Sequence, residues 1–457
     1  MEREPVVPNV DRIRPWREAP RYWQYRGQPV LLVGGSREDN LFQIPDLEEQ
    51  LHLLAGGGGN QIRNTMSDRD EGNVYPYRRL DDGRYDLDQW NEEYWRRFAE
   101  MLRLTHERDI FVQIEVWDRF DLSDVRGMGN WQRHPYRPAN NVNYTGQQSG
   151  LADAYPDHPS AERHPFYHTV PGMDEYRARY DLIRAYQERF VARMLEHSLT
   201  YGNVLYCMDN ETSTDPRWGQ YWMAFIEQRA SATGLDVFVT DMVDDGWKPE
   251  QSAKIRMELD RPDLYDFIDI SQVNSRNFGE DHWRRLRWVV EQAAAHPRPI
   301  THTKIYSAGE TSFGSGTPQD GIERFWRNLL GGSASSRFHR PTSGIGINQL
   351  AQACIRSVRR VETLVRFWEI EAHMELLGER EENEAYLAAD PGTAYVLFFC
   401  SGGAVTLDLT AQEGAFVGRW IDVATGEWGA EFELIGGEPR LISAPSETPW
   451  VAVIARG

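Results

Sequence analysis

Between residues 29 and 371 the chain alternates eight times between a short apolar run and a helical pattern. The runs lie at 29–35, 59–66, 109–117, 203–209, 235–242, 265–273, 299–307 and 333–340. The helical patterns lie at 46–55, 88–108, 174–199, 218–233, 250–259, 280–295, 319–330 and 349–371. Parallel strands need a crossover between them, and a helix supplies it. Eight such units predict an α/β fold, a (β/α)8 barrel. The last helix is the clearest case. Cys354, Ile355, Val358, Val361, Leu364, Val365 and Trp368 recur at three- and four-residue steps and mark one apolar face. The glycines at 56–59 predict a tight turn from the first helix into the second strand.

Two stretches depart from the alternation. Residues 119–173 follow the third strand, rich in Pro, Asn, Gly, His and Tyr, with no sustained period. A long insertion there predicts a wall over the C-terminal face of the strands. Its aromatic residues (Trp131, Tyr136, Tyr144, Tyr155, Phe166, Tyr167) are unlike a disordered composition. From residue 385 onward short strands separated by Asp-Pro-Gly and Gly-Gly turns predict a small all-β sandwich. The expected division is therefore a barrel over 1–375 and a sandwich over 380–457.

Composition excludes several classes. The net charge of −20 disfavours nucleic acid and anionic membrane surfaces as partners. Cys207, Cys354 and Cys400 are too few and too scattered for a disulfide framework or a zinc site, and no metal or cofactor is expected. No apolar stretch approaches the ~18 residues of a membrane span. Residues 1–5 lack the basic start of a signal peptide, so a cytoplasmic location is expected, or an extracytoplasmic one if a signal was removed. The oligomeric state is left open.

The candidate chemistry sits where strands end, because ligands of parallel α/β folds bind at the C-terminal ends. The fourth strand ends in Asp209, Asn210 and Glu211; the third carries Glu115, Trp117 and Asp118; the second carries Arg63. Trp117 has the ring to stack on a sugar, or to cap the barrel. Asn203-Val-Leu-Tyr with Asn210-Glu211, Gly59-Asn-Gln-Ile-Arg63-Asn-Thr, and Trp420-Ile-Asp-Val-Ala-Thr-Gly426 with Pro449-Trp-Val-Ala-Val together resemble a known arrangement. It is that of the apiosidase-like group of clan A glycoside hydrolases, barrels that carry a C-terminal sandwich of collagen-binding-like type. The resemblance implies that Glu211 protonates the glycosidic oxygen as general acid/base and that Asn210 holds the sugar 2-hydroxyl. It places Arg63 under the nucleophile.

The seventh strand departs from that group. Where the group has its nucleophilic Glu, Arg298-Pro-Ile-Thr-His-Thr-Lys304-Ile-Tyr carries Lys304. A lysine cannot form the glycosyl ester that a carboxylate forms. Glu310, six residues on, is the candidate replacement, and Glu115, Asp118, Asp241 and Asp244 are candidate bases for an inverting mechanism. Period two puts Lys304 on one face with His302. Together with Arg63, Arg337, His339, Arg340 and Arg276 it predicts a cationic mouth, suited to a uronate or sulfated sugar. The expected function is a glycosidase acting on carbohydrate. The alternatives are a catalytically silent carbohydrate-binding barrel and Schiff-base chemistry at Lys304.

Overall fold

The computed structural model describes residues 5–308 and 314–457. Eight short strands form its centre: β1 Leu32–Gly35, β2 Gln61–Thr65, β3 Phe111–Asp118, β4 Val204–Asn210, β5 Val239–Thr240, β6 Ile268–Asp269, β7 Ile300–Thr301 and β8 Ser335–Phe338. Six pair in parallel in the order β5-β4-β3-β2-β1-β8, and β6 pairs in parallel with β7. Single parallel bridges, Met242↔Asp269 and Ile305↔Phe338, link the pair to the β5 side and to β8. Every residue of β3 and β4 is buried, including Gln113 and Glu115, the polar residues that alternate along β3.

A helix follows each strand: α1 Leu47–Gly56, α2 Glu92–Glu107, α3 Asp181–Ser198, α4 Pro216–Ser231, α5 Ala253–Asp260, α6 Gly279–Ala293, α7 Pro318–Leu330 and α8 Gln349–Val361. Their starts carry recognisable caps. Asn91 accepts the Glu93 N–H, and Thr317 with Asp320 forms a capping box ahead of Pro318.

Boundaries differ from the sequence expectation where tertiary pairing intervenes. Residues 28–30 join an antiparallel sheet with Arg14–Pro15 and Trp23–Tyr25, so only Leu32–Gly35 enters the parallel set. The second helix starts at Glu92 because Tyr85–Trp90 pairs with Tyr77–Arg79. The third helix starts at Asp181, after a short 3-10 turn over Ala178–Tyr180. The last helix stops at Val361, and Leu364, expected on its apolar face, is 51% exposed.

The insertion over 119–173 is built from short helical turns, and Trp131, Tyr136, Tyr144, Phe166 and Tyr167 are all buried in it. The C-terminal strands are β9 Glu371–Ala372, β10 Leu377–Gly378, β11 Ala385–Asp390, β12 Ala394–Phe399, β13 Ala404–Leu407, β14 Ala415–Asp422, β15 Glu427–Ile435, β16 Arg440–Ser443 and β17 Trp450–Arg456. They form antiparallel sheets in the orders β9-β11-β12-β17-β14-β15 and β10-β13-β16. Tyr395, Leu397 and Phe399 of β12 share an apolar core with Val405, Leu407 and Ile442 of the smaller sheet. The alternate residues Ala394, Val396 and Phe398 join the core of the parallel part, with Phe398 stacked on Trp326 of α7 at 5.7 Å. No helix among the described residues is long and apolar enough to cross a membrane.

Candidate active site

At the end of β4 the backbone turns left-handed: Glu211 has φ +69°. A non-glycine residue there is uncommon and costs on the order of 1 kcal/mol. The turn breaks the strand's alternation and swings the carboxylate toward the ends of β7 and the β3 loop. One Glu211 oxygen accepts Lys304 Nζ and the Tyr306 hydroxyl, each at 2.9 Å. The other accepts Arg119 Nη2 at 3.0 Å. Burial by itself would raise this carboxyl's pKa. Lys304 and Arg119, with the hydrogen bonds from Lys304 and Tyr306, outweigh it and hold the group well below the ordinary range. Glu211 is therefore a carboxylate at neutral pH, opposite in charge state to the general acid that the resemblance implies. The side chain remains 16% exposed.

Arg119 joins a second carboxylate to the first. Its Nη2 donates at 3.0 Å to Asp244 Oδ1 as well, and its Nη1 lies 2.8 Å from Asp244 Oδ2. Since both carboxylate oxygens contact one nitrogen, they lie within twice that distance of each other. Asp244 is 31% exposed, the more accessible of the two.

Below this layer the polar strand ends close on one another. Asn210 accepts from Lys304 at 2.5 Å and from Arg63 at 3.1 Å, and donates to Asp118 at 3.0 Å. Arg63 is fully buried, forked onto both oxygens of Glu115 and bound to Asp39 at 2.5 Å. Asp118 also pairs with Arg69. Asp39 gathers Arg63, Arg69, Arg340 and His339. Burial would raise the Asp39 pKa, but Arg63, Arg340 and Arg69 override it and hold it well below 3.8.

Apart from Arg276, the expected cationic mouth is thus consumed internally. Arg340 pairs with Glu38 and Asp39, and Arg337, fully buried, donates to the Thr303 carbonyl and Ser36 Oγ. Burial holds His339 well below its ordinary value, so its ring is neutral. His302 does not share a face with Lys304. It bonds Asn274 and Ser333, while Lys304 reaches Asn210 and Glu211. The reason is that regular β7 pairing ends at Thr301, so period two is not maintained to Lys304. An ammonium held in an ion pair has no lone pair for a carbonyl carbon, so this geometry does not favour Schiff-base chemistry.

Trp117 is 7% exposed and packs among Phe166, Phe190, Trp218 and Trp222. It seats the insertion on β3. Glu310 lies outside the described residues. Arg119 and Tyr306, both in contact with Glu211, were not singled out by sequence reasoning. The signal for each was position: Arg119 is the first residue after β3, and Tyr306 lies two after Lys304. Among the described residues no cluster of His, Cys, Asp and Glu could hold a metal ion.

No family model matches the chain, and no curated protein matches it. Solved structures do. A glycoside hydrolase of family 5 from Bacteroides vulgatus aligns over 99% of this chain and 95% of its own, at 11% identity and TM-score 0.63. Another glycoside hydrolase aligns over 99% of both chains, at 12% identity and TM-score 0.64. A maltogenic α-amylase from Thermotoga neapolitana covers 93% of this chain and 99% of its own, at 10% identity and TM-score 0.52. At such identities the likeness shows the fold: a mixed α/β arrangement with a central parallel sheet, followed by antiparallel sheets.

Proposed function

We propose that the chain is a glycosidase: a (β/α)8 barrel over 1–375 braced by a β-sandwich over 380–457, acting on carbohydrate at the C-terminal mouth of its strands. The bridges Met242↔Asp269 and Ile305↔Phe338 support closure of the barrel. The observation that carries the reading is the Glu211–Arg119–Asp244 cluster, two carboxylates on one guanidinium at the exposed end of β4 and β5. Oxygens of the two carboxylates share Arg119 Nη2 at 3.0 Å each, a closeness compatible with a retaining enzyme, whose carboxyls lie about 5–5.5 Å apart.

In this reading Glu211, held ionised, is the nucleophile. It attacks the anomeric carbon and forms a glycosyl ester as the glycosidic bond breaks. Asp244 must first take a proton from solvent; it passes this to the leaving oxygen, then takes one from the water that cleaves the ester. Lys304 and Tyr306 stabilise the carboxylate before attack and as it departs. Glu310 is the alternative proton donor, and the same assays separate the two.

The test is hydrolysis of a panel of glycosides. Glu211→Gln should lose turnover on every substrate. Asp244→Asn should fail on unactivated glycosides yet still act on aryl glycosides with good leaving groups, which need no acid. If Glu310→Gln gives that pattern instead, the proton donor is Glu310. Full activity in Glu211→Gln would sink the proposal.

A second reading has its own observation. Lys304 stands at the end of β7 where the resembled group has its nucleophile, and it neutralises Glu211. That favours carbohydrate binding without turnover. Saturable glycan binding with no release of reducing ends by the wild-type chain would establish it.

A further inference from the structure

Most cations expected at the mouth are spent inside it, but Arg276 is not, and Lys248 joins it on the rim. Trp247 lies three residues beyond Asp244. Lys248 Nζ sits 4.7 Å from the centre of its ring, and Arg276 Cζ sits 5.7 Å from it. Neither cation has a carboxylate within 4.0 Å among the described residues. Beneath them Arg324 is fully buried and spends its donors on the carbonyls of Asn277, Tyr306 and Ser315. Burial lowers its pKa to about 9, so it keeps its charge at neutral pH without an ion pair.

This group is built into the Glu211 site. Arg324 holds the carbonyl of Tyr306, whose hydroxyl donates to Glu211. Gln272 donates to the same hydroxyl at 3.3 Å, and a Cβ on Gly246, next to Trp247, would meet Gln272 at 3.6 Å. Asn277, next to Arg276, donates to the Trp247 carbonyl at 2.7 Å. Nearby acids pair directly with other groups: Asp244 with Arg119, Asp281 with Arg284 (Lys248 adding only a longer-range attraction), Glu250 with Arg285, and Asp245 with the Ser252 hydroxyl.

We infer that the Trp247, Lys248 and Arg276 rim is a subsite for an acidic sugar residue, one that carries a carboxylate or a sulfate. This rests on the reading of the mouth as a carbohydrate site and assigns its substrate class. The indole ring holds two long, otherwise mobile cations within 5.7 Å of its centre, which lowers the entropy lost when an anion is bound. The surface as a whole, at net charge −20, repels anions. Screening confines that repulsion to about 8–10 Å, so the local cations decide what docks here.

The experiment measures binding of the full chain to a uronate oligosaccharide, its carboxyl-reduced neutral counterpart, and a sulfated glycan, by calorimetry and by Trp fluorescence. Wild type should prefer the acidic ligand over the neutral one on the order of tenfold, and the preference should shrink as salt rises. Comparing the uronate with the sulfated glycan decides which anion is taken. Arg276→Gln with Lys248→Gln should bring the acidic-to-neutral ratio toward one, and Arg276→Glu should bring it lower still. Arg103→Gln, an exposed cation on α2, should leave the ratio as it is, with matching thermal melts showing that each variant folds. Equal affinity for acidic and neutral ligands, or a preference that survives the double substitution, overturns the subsite. Because the readout is binding, the two readings fail separately. Acidic glycan bound but never cleaved keeps the subsite and removes the glycosidase. Neutral glycan cleaved without acidic preference does the reverse.

Discussion

Glu211 and Lys304 set each other's role. A carboxylate with a depressed folded pKa contributes stability that is fully present above its unfolded value, about 4.3, and is lost as pH falls through the folded value. Lys304→Met removes one of three donors and should cost about 1–3 kcal/mol at pH 7. Without Lys304 the folded pKa of Glu211 is higher, so the variant takes up its proton first and the gap should narrow as pH falls from the variant's folded value toward the lower wild-type one. Urea unfolding at a series of pH values from neutral to strongly acid measures this, and a gap independent of pH would contradict the ion pair. Arg63 is a stronger case, because both it and Glu115 are fully buried. Arg63→Met strands the Glu115 charge and should destabilise by about 3–5 kcal/mol. Arg103→Met, which breaks exposed pairs with Glu100 and Glu107, should cost less than about 1 kcal/mol. Similar losses from the two substitutions would sink the view of Arg63 as an internal strut.

At the scale of elements, the turn over residues 422–426 shows how a sequence motif does structural work. Asp422 accepts the Ala424 N–H at 2.9 Å, and the Gly426 N–H closes on the Asp422 carbonyl at 2.7 Å. Gly426 has φ +73°, and a Cβ there would meet the Ala353 carbonyl of α8 at 2.7 Å. Arg356 and Arg360 of the same helix bind Thr425 and Glu427. The turn is the seam between the C-terminal sheets and the last helix. Gly426→Ala should therefore cost about 1–2 kcal/mol or more. Thermal unfolding reads it, and an unchanged melting temperature would show that the seam yields freely. The eight strand–helix units were readable because local periodicity and burial agree in them. The hairpin over 77–90 was not, since its pairing is decided by partners outside the helix pattern it interrupts. The site was readable to the level of which strand ends matter. It was not readable in charge state, because the pairing of Arg63 with Glu115 spans 52 residues and that of Lys304 with Glu211 spans 93.

Across the whole molecule, β12 couples the two parts. Its residues alternate between two cores, Tyr395, Leu397 and Phe399 into one, Ala394, Val396 and Phe398 into the other. A strand buried on both faces cannot lose one neighbour without exposing an apolar row to water. The parts should accordingly unfold together in a single calorimetric transition, although the chain is long enough for separate domains. Phe398 is the place to test it, fully buried and stacked on Trp326. Phe398→Ala removes a ring from the interface and should cost about 3–5 kcal/mol. If the parts are coupled, activity and the far-UV signal should be lost at one lowered temperature. If the sheets instead melt first while the parallel part holds its signal to the wild-type temperature, the C-terminal region is an appendage, and the bracing role proposed for it is wrong.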